Sequence, residues 1–289
     1  MIPNKMDFYF RQITKNILDN GTKDKNPRPK YKDGKPAHTI SINHVNMTFD
    51  ILRGEFPLLT LRPAPIKSSV GEILWIYRDE SNDLDLLKDK YNISWWDSWD
   101  IGNRTIGACY GETVKRHNLM KNLLDGLKND PSGRRHIINL WQEDDFKEEH
   151  GLKPCCYQTV WNVRYIKNCV TPILDMCMFQ RSCDWLVAGS ASNQIQYAAL
   201  LVMVANHLGY IPGKYSWFGA NVQIYDRHIE AAHIMLNRES IIQKCPIEFY
   251  NISNNNNFYN TNVDDYKIIG INLEEIKEKN PQIKLELGI

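Results

Sequence analysis

Apolar positions along this chain switch repeatedly between a spacing near 3.6 and a spacing near 2, and each switch marks an element. Residues 7–20 place Phe8, Phe10, Ile13, Ile17 and Leu18 at helical spacing ahead of Gly21, which predicts an amphipathic helix. Residues 38–49 alternate through Ile40, Ile42, Val45 and Met47 and predict a strand. The span 66–77 predicts a helix with Val70, Ile73, Leu74 and Tyr77 on one face and Glu72 off it. A short amphipathic helix follows at 119–127, closed by Asn129-Asp-Pro-Ser-Gly133, and then a strand at 136–141. Runs at 158–166 and 173–180, joined by Lys167-Asn168, predict a hairpin. Ser192-Asn193 is the expected cap of a helix over 194–208 that stops at Gly209. A strand at 217–225, a helix through Leu236 and a strand-like Ile283-Lys-Leu-Glu-Leu287 complete the pattern.

The segments between are equally distinct. Residues 23–35 are basic, contain Asp33-Gly34 and Arg28, and predict a mobile loop. Residues 91–99 are dense in aromatics, Gly107-Ala-Cys-Tyr-Gly111 is a glycine-bracketed turn, the acidic 143–149 predicts a solvated helix or loop, and an asparagine-rich run covers 253–257. There are no internal repeats. Helices and strands mix without a regular βαβ alternation, which predicts an α+β fold, and the length fits one domain over residues 1–289.

Composition narrows the function classes. Thirty-five basic against 34 acidic residues leave a net charge of +1, which argues against a DNA partner while leaving room for a local phosphate pocket. No run reaches 18 consecutive apolar residues, so no membrane span is expected; Ile195–Leu208 carries Gln196, Asn206 and His207 and suits a buried helix. The start, Met1-Ile-Pro-Asn-Lys5, lacks a signal h-region. Seven cysteines without disulfide or zinc spacing imply a reducing, cytoplasmic setting, free thiols and no metal.

Candidate chemistry centres on Pro154-Cys155-Cys156, where a loop enters a strand. Cysteine attacks only as its thiolate, which needs nearby positive charge or a donor; a purely structural thiol is the ordinary alternative. Arg134-Arg135 follow a tight turn and Arg181-Ser182 end a strand. They fit a solvated surface, or a cage for a phosphate dianion if the fold brings them together. Trp95, Trp96 and Trp99 suit either core packing or a platform for a flat heteroaromatic ligand. Glu72 is either a solvated residue or a buried acid, and Asn193 is either a cap or a reader of a base edge, since an amide offers donor and acceptor together. Triphosphate-loop, Rossmann and nucleophile-elbow motifs are absent.

Several blocks together resemble the thymidylate synthase family. Arg135-His-Ile-Ile-Asn-Leu-Trp-Gln142, a nine-residue interval and Leu152-Lys-Pro-Cys155 are similar to its signature; Gln180-Arg-Ser-Cys-Asp184, then Asn193 and Tyr197, are similar to its second block. Glu72-Ile-Leu-Trp75, Trp96-Asp-Ser-Trp99, Pro131-Ser-Gly-Arg-Arg135 and Ile224-Tyr-Asp-Arg-His228 match in the same order. The resemblance implies one α+β catalytic domain whose large mixed sheet packs back-to-back with its twin in a homodimer. It implies reductive methylation of dUMP to dTMP with 5,10-methylenetetrahydrofolate as carbon and hydride donor, and no metal. Cys155 is then the nucleophile toward uracil C6, with Glu72, Tyr110 and Arg181 in catalytic roles. Arg28, Arg181 and Ser182 are expected on the phosphate, joined by Arg134 and Arg135 from the partner subunit. Asn193 is expected on the uracil edge, and Gln223 and Tyr225 on the nucleoside. Asp184, Trp96, Trp99 and Ile289 are expected on the folate.

The chain departs from the family at Ala220-Asn221-Val222-Gln223-Ile224-Tyr225, where Gly-Asp-x-His-x-Tyr is usual, and at Val160 in place of glutamine. One additional residue separates Asp184 from Asn193. Three alternatives compete with methylation: a hydroxymethylase of the same fold, in which water replaces hydride; a nucleotide-binding homologue without catalysis; and an unrelated cysteine hydrolase, which needs a histidine partner.

Overall fold

The computed structural model describes residues 4–147, 152–242 and 245–288. In chain order these hold helix α1 (Lys5–Asn20), strands β1 (Thr22–Lys23) and β2 (Thr39–Asp50), and helices α2 (Ile66–Tyr77), α3 (Leu84–Tyr91), α4 (Gly111–Arg116) and α5 (Leu119–Asn129). Strands β3 (Ile137–Asn139), β4 (Cys156–Arg164), β5 (Ile173–Gln180) and β6 (Cys183–Asp184) follow. A π-helical stretch (Trp185–Ser192) then runs into α6 (Asn193–Leu208) and on to β7 (Ile211–Tyr225) and α7 (Ile229–Asn237). The pair β8 (Glu248–Asn251) and β9 (Tyr266–Ile269) and helix α8 (Leu273–Lys279) end the order.

A seven-stranded sheet runs β1-β2-β7-β5-β4-β3, with β6 also on β7. β5 and β6 are parallel to β7 and the other pairs are antiparallel, so the sheet is mixed. Alternation gives its faces different fates. Trp161, Met176, Met178, Tyr215 and Trp217 are buried toward the helices, whereas Val160, Cys177, Phe179, Ser216 and Phe218 are half-buried on the opposite face.

Helix α6 is buried from Gln194 to Ala205 and packs between α2 and strands β5 and β7. α2 is likewise buried from Ser69 to Tyr77, so Glu72 is an interior acid and the one-faced pattern read from its sequence widens to all sides of the helix after its first turn. α1 has the expected amphipathic form: Met6, Phe10, Ile13 and Ile17 face the core, and the Asn4 side chain caps the first turn by accepting from the Asp7 N–H at 2.9 Å.

Four local expectations change. Ser192 has helical dihedrals and no capping hydrogen bond, because the helix already starts at Trp185; the cap is Asp184, whose carboxylate accepts from the Val187 N–H at 3.2 Å. Residues 283–287 form no strand and pair with no strand among the described residues; Ile283 and Leu285 instead pack on the core. The basic loop 23–35 is tied down: Arg227 lies over the Tyr31 ring at 3.9 Å and bonds Asp33 at 2.6 Å, while Tyr31 donates to Asp226. The acidic segment after β3 is also less solvated than its composition suggests. Asp145 is buried and accepts from Arg116 at 2.6 Å.

Candidate active site

Strand pairing places Cys156 opposite Gln180, Gln180 beside Gly219 and Asp184 beside Gln223. Cys155, Arg181, Asp184 and Gln223 therefore sit at strand ends on one margin of the sheet. A bulge between Cys156 and Gln158 breaks the β4–β5 ladder there, a device that redirects side chains beside a site.

Arg181 is built around the thiol. Its N–H donates to the Cys155 carbonyl at 2.9 Å, its Nε to the Pro154 carbonyl at 2.9 Å and its Nη2 to the Lys153 carbonyl at 2.8 Å. The same Nη2 is 3.6 Å from Cys155 Sγ, and the guanidinium lies over Trp141 at 5.5 Å. The Tyr110 hydroxyl accepts from the Cys155 N–H at 3.0 Å. Tyr110 has φ of +56°, a conformation that costs a non-glycine residue roughly 1–3 kcal/mol and concentrates at working sites.

Burial pushes the Cys155 thiol pKa up, and Arg181 and then Arg28 oppose it. The arginine effect expected from sequence has the right sign, yet in the single chain desolvation outweighs it. Burial also drives Tyr110 well above the usual phenol range, with the neighbouring Cys155 adding to the rise.

Glu72 reaches this region from α2. Its carboxylate accepts from the Trp95 indole N–H at 2.6 Å, and burial raises its pKa against hydrogen bonds from Trp96, Trp95 and Gln196. Trp96 is buried edge-on to Tyr110 at 5.1 Å and next to the half-buried Trp99 at 5.7 Å. This joins the aromatic cluster to the thiol through Tyr110.

Asn193 lies in the site despite the additional residue before it: its Oδ1 accepts from Gln180 Nε2 at 3.1 Å and its Nδ2 donates to Gln196 at 3.1 Å. Tyr225 is buried, and its hydroxyl is pushed up to about 12 by burial, then by Asp184, with Arg28 opposing and Cys155 adding. Asp184 is itself pushed up to about 7 by burial, against its helix-capping bonds and Arg62. Arg28 is exposed on its loop within electrostatic reach of Cys155 and Tyr225. Ser182 and Gln223 are half-buried beside these groups.

Arg134 and Arg135 are not brought to this cluster by their own chain. His136 pairs with Trp161 and Ile137 with Val160, so Arg135 falls opposite Asn162, seven residues along β4 from Cys155. Both side chains are exposed and make no hydrogen bond or ion pair among the described residues. Ile289 lies outside the described residues. Its neighbour Gly288 lies so close to Tyr225 that an added Cβ would meet the ring at 2.6 Å, which places the C-terminal segment over that tyrosine.

Gln180, Gln196 and Trp141 were not singled out from sequence. Gln180 carried a signal: it occupies the inward position of the 174, 176, 178, 180 series, where the others are apolar. Gln196 is likewise a polar intrusion in a buried helix. Trp141 precedes a loop, and no local pattern marks it.

Residues 8–287 match the thymidylate synthase family model. The thymidylate synthase of Lactococcus lactis subsp. cremoris (strain SK11) is 42% identical over 283 residues, covering 98% of this chain and 99% of that protein. The thymidylate synthase of Streptococcus mutans serotype c is 39% identical over 287 residues, covering 99% and 100%. Among solved structures, thermostable thymidylate synthase A from Bacillus subtilis matches with a TM-score of 0.86 and 31% identity, over 98% of this chain and 99% of that one.

Proposed function

The chain belongs to the thymidylate synthase family, and from that premise we propose how its own residues carry out the reductive methylation of dUMP to dTMP. The observation that carries the reading is the Cys155 thiol held 3.6 Å from Arg181, with its backbone N–H fixed by Tyr110. Addition of the Cys155 thiolate to uracil C6 makes C5 enolate-like and able to attack carbon, splitting one difficult substitution into easier steps. 5,10-Methylenetetrahydrofolate, the family's co-substrate, supplies the one-carbon unit and the hydride.

Arg181, Ser182 and Arg28 bind the phosphate dianion, and before it binds the two guanidinium groups favour the ionised form of the sulfur. Asn193 reads the uracil edge, and Tyr225 and Gln223 hold the nucleoside. Glu72, with its pKa raised by burial, carries protons within the closed site, and Tyr110 assists at C5. The residues assigned to the folate suit a flat ring bearing donors and acceptors: Trp96 is buried beside the half-buried Trp99, and Asp184 can hold or release a proton near neutrality.

A homodimer completes the site, with Arg134 and Arg135 of the partner subunit reaching the phosphate. The half-buried face bearing Phe179, Phe218 and Val160 is the surface that pairs the two sheets. Among the described residues no helix is long and apolar enough to cross a membrane, and the working compartment we propose is the cytoplasm, with no DNA partner. The relatives named above are thymidylate synthases, which favours a methyl over a hydroxymethyl product.

The test is incubation with 5-fluoro-dUMP and methylenetetrahydrofolate followed by mass spectrometry. A covalent ternary adduct on Cys155 is expected, and its absence, or its persistence in Cys155→Ala, refutes the nucleophile assignment.

A further inference from the structure

Four side chains outside the phosphate cage form one directed chain of hydrogen bonds that ends against a fifth, Glu72. Trp217 Nε1 donates to Gln180 Oε1 at 2.9 Å, Gln180 Nε2 donates to Asn193 Oδ1 at 3.1 Å, and Asn193 Nδ2 donates to Gln196 Oε1 at 3.1 Å. Beyond Asn193, the Gln196 amide lies against Glu72 and is among the groups that oppose the burial-raised pKa of its carboxyl. Trp217 and Gln180 are buried at one end and Gln196 and Glu72 at the other, with Asn193 partly open between them.

The direction of this chain is fixed by chemistry. An amide's oxygen and nitrogen are near-isosteric, so each of the three amides has two orientations on shape alone. An indole N–H can only donate. Trp217 therefore requires the Gln180 oxygen, which turns the Gln180 nitrogen toward Asn193. That nitrogen also donates to the Ser182 carbonyl at 3.1 Å, an acceptor that confirms the orientation. Asn193 must then offer Oδ1 to Gln180 and Nδ2 to Gln196, and Gln196 must turn its own nitrogen toward the acidic oxygens of Glu72. A reversal at any link sets two donors or two acceptors face to face inside the protein, an arrangement that buried polar groups avoid.

We propose that Gln196 is a positioning residue, joining the base-reading amide of Asn193 to the buried acid Glu72 so that the orientation of one is tied to the ionisation of the other. The inference rests on the dUMP reading of the site. With Oδ1 and Nδ2 fixed, Asn193 has one lone pair and one N–H left for the ligand. Those complement the N3–H donor and O4 acceptor of uracil; the cytosine edge, with an acceptor at N3 and a donor at C4, needs the reverse. Gln196 holds the Asn193 nitrogen on its own side and supplies Glu72 with a donor that favours the carboxylate. Amides do not pass protons along the line, so the chain orients groups rather than conducting protons.

Gln196→Met tests this. Methionine approximates the volume of glutamine and removes both hydrogen bonds, so folding is retained while the coupling is lost. The full-length protein is assayed for dTMP formation across pH, and binding of dUMP and dCMP is measured by calorimetry. With the donor to Glu72 gone, the limb of the kcat profile assigned to Glu72 moves to higher pH. The preference for dUMP over dCMP falls by about tenfold, the scale of a hydrogen bond to a buried group. An unchanged limb and preference in Gln196→Met, with the wild-type protein turning over dUMP, overturns the coupling and leaves the family reaction intact. A wild-type protein that neither binds dUMP nor forms the Cys155 adduct overturns both. If Gln196→Met fails to fold, Gln196→Leu, which also removes the amide, takes its place, and a wild-type limb and preference in it overturn the proposal alone.

Discussion

The placement of Arg134 and Arg135 makes a prediction about shared sites that can be worked from strand geometry. Arg135 falls opposite Asn162, seven residues along β4 from Cys155. At ~3.3 Å per residue the separation is roughly 23 Å, several times the reach of an arginine side chain. If these arginines bind the dUMP phosphate, they bind the one held in the other subunit. Two variants that are each inactive then complement one another. Cys155→Ala keeps its arginines but has no nucleophile. The double variant Arg134→Ala, Arg135→Ala keeps its nucleophile but deprives the neighbouring site of two guanidinium groups.

Random exchange of equal amounts makes about half of the dimers mixed, and twofold symmetry gives each mixed dimer one wholly intact site and one doubly defective site. Activity therefore rises from near zero to about one quarter of wild type. The assay follows dihydrofolate formation after exchange in mild denaturant and dialysis, with native mass spectrometry counting mixed dimers through a mass tag on one variant. The sharing argument fails if mixed dimers form and the activity remains at the average of the two parents. The arginines would then serve their own subunit or no site at all.

Three further outcomes follow from individual contacts. Tyr110→Phe leaves the Cys155 N–H without its acceptor and lowers kcat by about tenfold or more while dUMP binding, measured by calorimetry, changes little; an equal loss in binding contradicts that role. Glu72→Gln abolishes turnover but raises the unfolding temperature at about pH 8. A carboxyl whose folded pKa exceeds its unfolded value costs nothing while both states are protonated and costs most once pH has risen through the folded pKa, so the gain vanishes near pH 4. Gly189→Ala drives a Cβ to 2.1 Å from Cys183 Sγ behind the Asp184-capped helix, costing ~1–3 kcal/mol of stability in urea unfolding; a neutral result refutes the packing described there.

Much of the frame was readable because local pattern and tertiary role agree in it. α2 and β5 have the limits their periodicity predicts, and Cys155 and Arg181 each fall at a strand end, where a loop residue precedes or follows an alternating run. The start of the helix after Asp184 was hidden because a π-helical stretch lacks both the spacing and the cap of an ordinary first turn. Residues 283–287 show that alternation alone does not make a strand: the segment pairs with none among the described residues, and Ile283 and Leu285 pack on the core directly. The firm hold on loop 23–35 comes from Arg227 and Glu286, partners about 190 to 250 residues away in the chain, so composition alone marked the loop as loose. Gln180 and Gln196 were visible as polar residues at inward positions, but only the Trp217 indole reveals what they do together.

Cys155 itself ties the electrostatics to assembly. Within one chain, burial raises its pKa despite Arg181 and Arg28. A bound phosphate dianion, with a charge of about −2, would cancel both of those guanidinium charges just when the thiolate is needed. Four arginines would not be cancelled: two from each subunit leave a net charge of about +2 around the phosphate, enough to keep the potential at the sulfur positive after dUMP has bound. On this reading the shared site supplies more than affinity for the nucleotide, because thiolate formation in the loaded enzyme depends on Arg134 and Arg135 of the partner subunit. The consequence is specific. In the Arg134→Ala, Arg135→Ala dimer, saturating dUMP should raise the Cys155 pKa relative to the free enzyme, read from the pH dependence of iodoacetamide alkylation quantified on the Cys155 peptide at equal occupancy. Wild type should show a markedly smaller rise. Equal rises in both proteins would mean that the partner arginines bind phosphate without influencing the thiol.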